Sequence, residues 1–155
     1  MEGEHGEQVA EGEDPRPSGC GPQLTLVVDA SLVVAALVDS GPDGTWAEGI
    51  LTSGPLAAPH LMPVEAANIL RRASLAGEIS EDTASLAHAD LVRLPVELFP
   101  YGALAGRAWE LRGNLTLYDA WYVALAEALE ARLATLDERL TRATGPSCGF
   151  ETPGG

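Results

Sequence analysis

The sequence predicts an α/β fold: three layers, α/β/α, built on a central, mostly parallel sheet of four or five strands. Short apolar runs alternate with longer segments of helical periodicity along most of the chain. The first run, Leu24-Thr25-Leu26-Val27-Val28, is nearly continuous, as expected of a strand buried on both faces. The 155 residues suit one domain, and a hydrophobic content of 46% suffices for a core.

The elements follow in order. Asp29 ends the first strand, and Ser31 is placed to cap a helix running to about Val38. Gly41, Pro42 and Gly44 punctuate the chain before a second helix, Thr45 to Leu51. Leu56-Ala57-Ala58 reads as a weak second strand. After Pro63, the residues Ala66, Ile69, Leu70 and Ala73 mark one apolar face of a long helix. Another helix runs from about Glu81 to Leu91, and Val96-Glu97-Leu98-Phe99 reads as the third strand. Helices over Tyr101 to Leu111 and Tyr118 to Ala131 come next, the second apolar almost all round and therefore central. Leu133 to Leu136 forms a fourth strand ended by Asp137, a short helix reaches about Thr144, and an edge strand lies near Phe150. No internal repeat is visible.

Residues 1–22 hold six acids, one arginine and almost no large apolar side chain. Such a segment buries too little to offset its ordering, so it reads as a disordered acidic tail. The domain is expected over 23–151, with 152–155 as a C-terminal tail. The N-terminal segment lacks the basic start and apolar middle of a signal peptide. The stretch from Leu24 to Val38 is broken by Asp29 and too short to span a bilayer, so a cytoplasmic protein without membrane association is expected.

Cys20 and Cys148 lie far apart with no CxxC or Cys/His spacing, and His5, His60 and His88 are scattered. That argues against zinc and against a disulfide framework, leaving a single disulfide open. The formal net charge is -14, and all nine basic residues are arginine. Without the tail the balance is still -9, which argues against a generic nucleic-acid binder with a basic face.

Four acids stand where the topology converges. In a parallel sheet the ligand site lies beyond the carboxyl ends of the strands. Asp29 follows the first strand and Asp137 the fourth; Glu65 opens the helix after the second; Asp119 lies in the first turn of the central helix. Taken singly, each has a plain structural reading. Asp29 closes a turn, Asp137 caps a short helix, Glu65 complements a helix dipole, and Thr116 with Asp119 resembles a capping box. Their shared edge and apolar neighbours change the balance. Carboxylates among Val27, Val28, Leu117, Trp121, Leu133 and Leu136 resist ionisation unless something neutralises them. The chain has no lysine, and no arginine adjoins Asp29 or Asp119. A hard divalent cation with oxygen ligands is the natural partner, and carboxylates plus metal suggest phosphoester hydrolysis.

The segments Val-Val-Asp29-Ala-Ser31, Pro-Val-Glu65-Ala-Ala-Asn68-Ile-Leu-Arg71-Arg72, Leu-Thr116-Leu-Tyr-Asp119-Ala and Ala-Thr135-Leu-Asp137-Glu-Arg-Leu140 resemble the successive motifs of PIN-domain proteins. The resemblance is to VapC, the ribonuclease half of a bacterial type II toxin–antitoxin pair. It covers about Leu24 to Phe150 and rests on the order of the motifs, since none is specific alone. It implies a PIN-like fold in which Asp29, Glu65, Asp119 and Asp137 are catalytic and hold Mg2+ or Mn2+. Ser31, Thr116 and Asn68 would support the cluster. It also implies an RNA substrate cut to a 5′-phosphate and a 3′-hydroxyl, a homodimer, and a cognate VapB-type antitoxin that blocks the site, often with an arginine. The acidic tail lies outside the family pattern.

Phosphate contacts need positive charge. Arg72, seven residues after Glu65, is the candidate grip, with Arg112 or Arg139 beside it; the same arginines read equally well as solvated surface. Trp121 and Tyr122 read as core or dimer contacts before base-stacking groups, and Trp46 and Trp109 as core or interface. Two other classes compete. A receiver or aspartyl phosphatase wants a lysine that this chain lacks, and a PIN fold without toxin role would serve RNA processing or binding alone.

Overall fold

The computed structural model describes residues 24–155, so the expected tail over 1–22 lies outside the described residues. Five strands form one sheet in the order β3-β2-β1-β4-β5, and every neighbouring pair is parallel. The strands are β1 (Leu26–Val28), β2 (Leu56–Pro59), β3 (Val96–Phe99), β4 (Arg132–Ala134) and β5 (Phe150–Glu151). The helices are α1 (Ala30–Val38), α2 (Pro42–Leu51), α3 (Met62–Leu75), α4 (Glu81–Arg93), α5 (Ala105–Glu110), α6 (Leu117–Ala128) and α7 (Glu138–Thr141). Helix α1 packs on α2, α3 and α4, while α6 packs on α5 and lies against β1, β2 and β4, giving the α/β/α layering.

Strand order determines where a site can form. From β1 the chain adds β2 and β3 on one side, then returns to place β4 and β5 on the other. The reversal leaves a crevice beyond the carboxyl ends of β1 and β4, the position where parallel sheets bind ligands. Val27, Val28 and Leu133 are fully buried, in keeping with central strands covered on both faces. The register pairs Val28 with Ala134, so Asp29 and Thr135 emerge side by side.

Several boundaries differ from expectation. Asp29, not Ser31, is the N-cap of α1: its backbone is extended and its side chain accepts from the Leu32 amide. No linker separates β1 from α1, so the acid that ends the strand is also the residue that starts the helix. Helix α2 starts at Pro42 rather than Thr45, because proline suits the first turn, where its missing N–H costs nothing. Its Gly44 packs on the end of α1 so closely that a Cβ there would lie 1.8 Å from the Asp39 carbonyl oxygen. The expected helix from Tyr101 is a 3-10 turn at Gly102–Leu104 followed by the short α5. Helix α6 ends at Ala128, ahead of Glu130, whose φ of 52° is left-handed and incompatible with a continuing helix.

The strand near Phe150 forms, pairing with β4. It is held by a polar clamp. Arg107 donates to both carboxylate oxygens of Glu127 at 2.6 and 3.1 Å and to the Gly145 carbonyl at 2.9 Å. Glu127 also accepts from the backbone and hydroxyl of Ser147, and Arg107 holds its carboxyl below the ordinary range. Among the described residues Cys148 beside it forms no disulfide, its thiol is pushed up by burial, and Cys20 lies outside the described residues.

Candidate active site

The four acids singled out in the sequence reach one edge of the sheet from four different elements. Asp29 is the most enclosed. Its Oδ1 accepts from the Ser31 hydroxyl and the Leu32 amide, each at 2.9 Å, and its Oδ2 accepts from the Thr135 hydroxyl. Burial pushes its carboxyl up, these bonds oppose the rise, and Asp137 adds a repulsive charge. Glu65 sits in the first turn of α3, where its carboxyl is likewise pushed up by burial and by the charges of Asp119 and Asp29. Asp119 is raised by burial and then by Asp137. The charge of Asp137 thus bears on Asp29 and Asp119, and those of Asp119 and Asp29 bear on Glu65.

Asp137 caps α7, accepting from the Arg139 amide at 2.9 Å, and its Oδ1 lies 3.5 Å from Arg139 Nε. Thr116 caps α6 by accepting from the Asp119 amide at 3.2 Å, as the capping-box spacing predicts. Both plain structural readings thus hold together with the clustering. A depression of about 240 Å³ opens between the Asn114–Thr116 loop and α7, with Asp119 and Asp137 on its wall.

The remaining expectations divide. Ser31 supports the cluster through Asp29, and Thr116 through the backbone of Asp119. Asn68 is exposed and makes no side-chain hydrogen bond among the described residues. Arg72 is exposed on the last turn of α3; Arg112 folds back over Trp109; Arg139 is spent on Asp137. Trp109 is 58% exposed and so is no core residue.

Two members of the cluster escaped the sequence. Thr135 is wholly buried; its hydroxyl donates to Asp29 and accepts from the Asp137 amide at 3.0 Å, bridging the two acids. Tyr122 is buried too, and its hydroxyl donates to Glu65 Oε1 at 2.9 Å. Its own proton is held tightly, chiefly by burial and then by the Glu65 charge. A signal existed for both: Thr135 stands two residues before Asp137, and Tyr122 one helical turn after Asp119.

The donor set is oxygen only, which suits a hard divalent cation. Among the described residues no three Asp, Glu, His or Cys side chains are gathered tightly enough to close on one ion. Asp29 is bonded to Thr135 and Glu65 to Tyr122. The residues fit a magnesium-like ion that keeps several of its waters and is held by carboxylates directly or through them, not an all-protein cage.

Comparison with known proteins agrees with this architecture. The family profile described as PIN domain matches residues 26–146. The chain is 44% identical to Ribonuclease VapC1 of Mycobacterium tuberculosis over 123 residues, which is 79% of this chain and 92% of that protein. Among solved structures, PAE2754 from Pyrobaculum aerophilum superposes with a TM-score of 0.61 at 25% identity, covering 85% of each chain. VapBC2 from Rickettsia felis, solved bound to a DNA fragment from its promoter, gives 0.60 at 14% identity over 83% of this chain and 98% of that one, a likeness of fold. Among the described residues no helix is long and apolar enough to cross a membrane.

Proposed function

Because the chain belongs to the PIN-domain family and to its VapC branch, we propose that it is a divalent-metal-dependent endoribonuclease, the toxin of a type II toxin–antitoxin pair. The observation that carries this reading is the coupling of Asp29, Glu65, Asp119 and Asp137 at the switch point of the sheet. Asp29, Glu65 and Asp119 would hold Mg2+ or Mn2+, and Asp137 would complete the set, directly or through water. When bound, the ion supplies Lewis acidity toward a phosphodiester and a water acidic enough to attack it.

The chain's own residues do the positioning. Thr135 and Ser31 orient the carboxylate of Asp29, and Tyr122 orients that of Glu65. Burial of the three raised carboxyls makes the cluster favour a cation over bulk water. Arg72 and Arg112, exposed and without a carboxylate partner among the described residues, remain available for RNA phosphates. Arg139 would reach RNA only by leaving Asp137. A cytoplasmic homodimer inhibited by a VapB-type antitoxin completes the proposal.

Cleavage mapping on total RNA tests it, comparing wild type, Asp119→Asn, and wild type with chelator. Cuts bearing 5′-phosphate ends are expected from wild type with Mg2+ or Mn2+ alone. Wild-type protein that cuts no structured or unstructured RNA at saturating Mn2+ would leave a fold without the activity.

A further inference from the structure

Besides Leu24 and Leu98, the exposed large hydrophobic side chains among the described residues fall into two chemical sets. Val64, Leu75, Leu86 and Val92 are aliphatic and lie on α3 and α4. Tyr101, Trp109 and Tyr118 are aromatic and lie between β3 and the first turn of α6. Tyr101 is committed, its ring set edge-on to Trp121 with centroids 5.3 Å apart. Trp109 and Tyr118 are 58% and 62% exposed.

Trp109 carries a cation. The Arg112 guanidinium lies 4.6 Å from the centre of its ring, and Nη1 donates to the Trp109 carbonyl at 2.7 Å. That bond holds the guanidinium on the ring at the end of α5. Arg107, Arg132, Arg139 and Arg142 each meet a carboxylate, whereas Arg112 meets none among the described residues. Its charge is therefore available, on a surface where net positive charge is scarce.

Along the chain the pair leads toward the carboxylate edge. Two residues after Arg112 the chain becomes the wall of the depression that Asp119 and Asp137 also line, and Tyr118 directly precedes Asp119. Aromatic faces and guanidinium planes stack unpaired bases, and a guanidinium contacts phosphate as well. Bases inside a duplex already stack on one another and offer no free face.

Resting on the ribonuclease reading, we propose that Trp109, Arg112 and Tyr118 form a stacking platform that binds single-stranded RNA next to the carboxylates. The aliphatic set on α3 and α4 has arginines beside it but no aromatic face on which a base could stack.

The test is fluorescence titration of the Asp119→Asn protein, which is expected not to cut, with a 12-residue oligouridine in Mg2+. Oligouridine should quench tryptophan emission, and Trp109→Phe should remove most of that quenching. Trp109→Ala and Arg112→Ala should each weaken binding by about fivefold or more, and a duplex of equal length should compete poorly. Affinity unchanged within about twofold in both alanine variants overturns the platform. So does a change of oligomeric state in Trp109→Ala, by sedimentation, with RNA affinity intact; the face would then be a protein contact. Wild-type cleavage of total RNA at saturating Mn2+, measured in parallel, separates the two ideas: oligouridine binding with no RNA cut sinks the ribonuclease reading and leaves the platform standing.

Discussion

The Tyr122 hydroxyl donates to Oε1 of Glu65 at 2.9 Å, joining α6 to α3 across 57 positions of sequence. Tyr122 is buried and Glu65 half-buried, so the bond is partly shielded from water. Tyr122→Phe keeps the ring and the packing and deletes only the donor. Glu65 then loses the contact that orients it. The variant should fold with stability within about 1 kcal/mol of wild type, yet bind Mn2+ roughly 10-fold more weakly, as expected for a group that orients a metal-binding carboxylate. Calorimetric titration with Mn2+ and thermal melting check the two halves separately. Equal Mn2+ affinity in both proteins would reduce Tyr122 to a core residue.

Thr135 is the bridge between Asp29 and Asp137. Thr135→Val has nearly the same shape but strips a wholly buried hydroxyl of both its bonds, leaving the Asp137 amide and Asp29 Oδ2 short of a partner. Denaturant unfolding should show a loss of about 1–3 kcal/mol. Thr135→Ser keeps the hydroxyl and should lose less. If valine is tolerated as well as serine, the bridge contributes nothing to the fold.

The raised carboxyls make stability depend on pH in a stated direction. In the metal-free protein Asp29, Glu65 and Asp119 hold protons that the unfolded chain has already released, chiefly because of burial. Stability from these groups is complete below their ordinary values and is lost as pH rises through their folded ones. Glu127, lowered by Arg107, acts oppositely: its contribution is present above the ordinary value and lost on acidification. Metal-free protein should therefore melt at a lower temperature at about pH 7 than at about pH 5. Asp119→Asn should flatten that slope, and Mg2+ should recover part of the loss at the higher pH. A melting temperature that climbs from pH 5 to pH 7 without metal would contradict the raised values.

Much of this site was legible in the sequence, for a physical reason. A buried strand that stops at an acid announces both a strand end and a polar group on the sheet's edge, so Asp29 and Asp137 could be placed before any coordinates. Thr116 and Asp119 carried the spacing of a cap. What stayed hidden depends on relations between distant segments. Thr135 reads as one more strand residue until the register sets Val28 opposite Ala134. Tyr122 reads as core, which it is, and only the approach of α3 gives its hydroxyl a partner. Periodicity points to Ser31 as the cap because it does not reveal that β1 runs into α1 without a linker. The rotation of a six-residue helix such as α5 is equally invisible, so the sequence does not decide between core and surface for Trp109, which is exposed.

The claim on which the account rests is that these separate acids share one divalent ion. Isothermal titration of Mn2+ into wild type, Asp29→Asn and Asp119→Asn measures it directly, without RNA. Saturable binding to wild type, with both variants weakened by about 10-fold or more, is the predicted result. Equal affinity in all three proteins, or no binding to wild type, would contradict it.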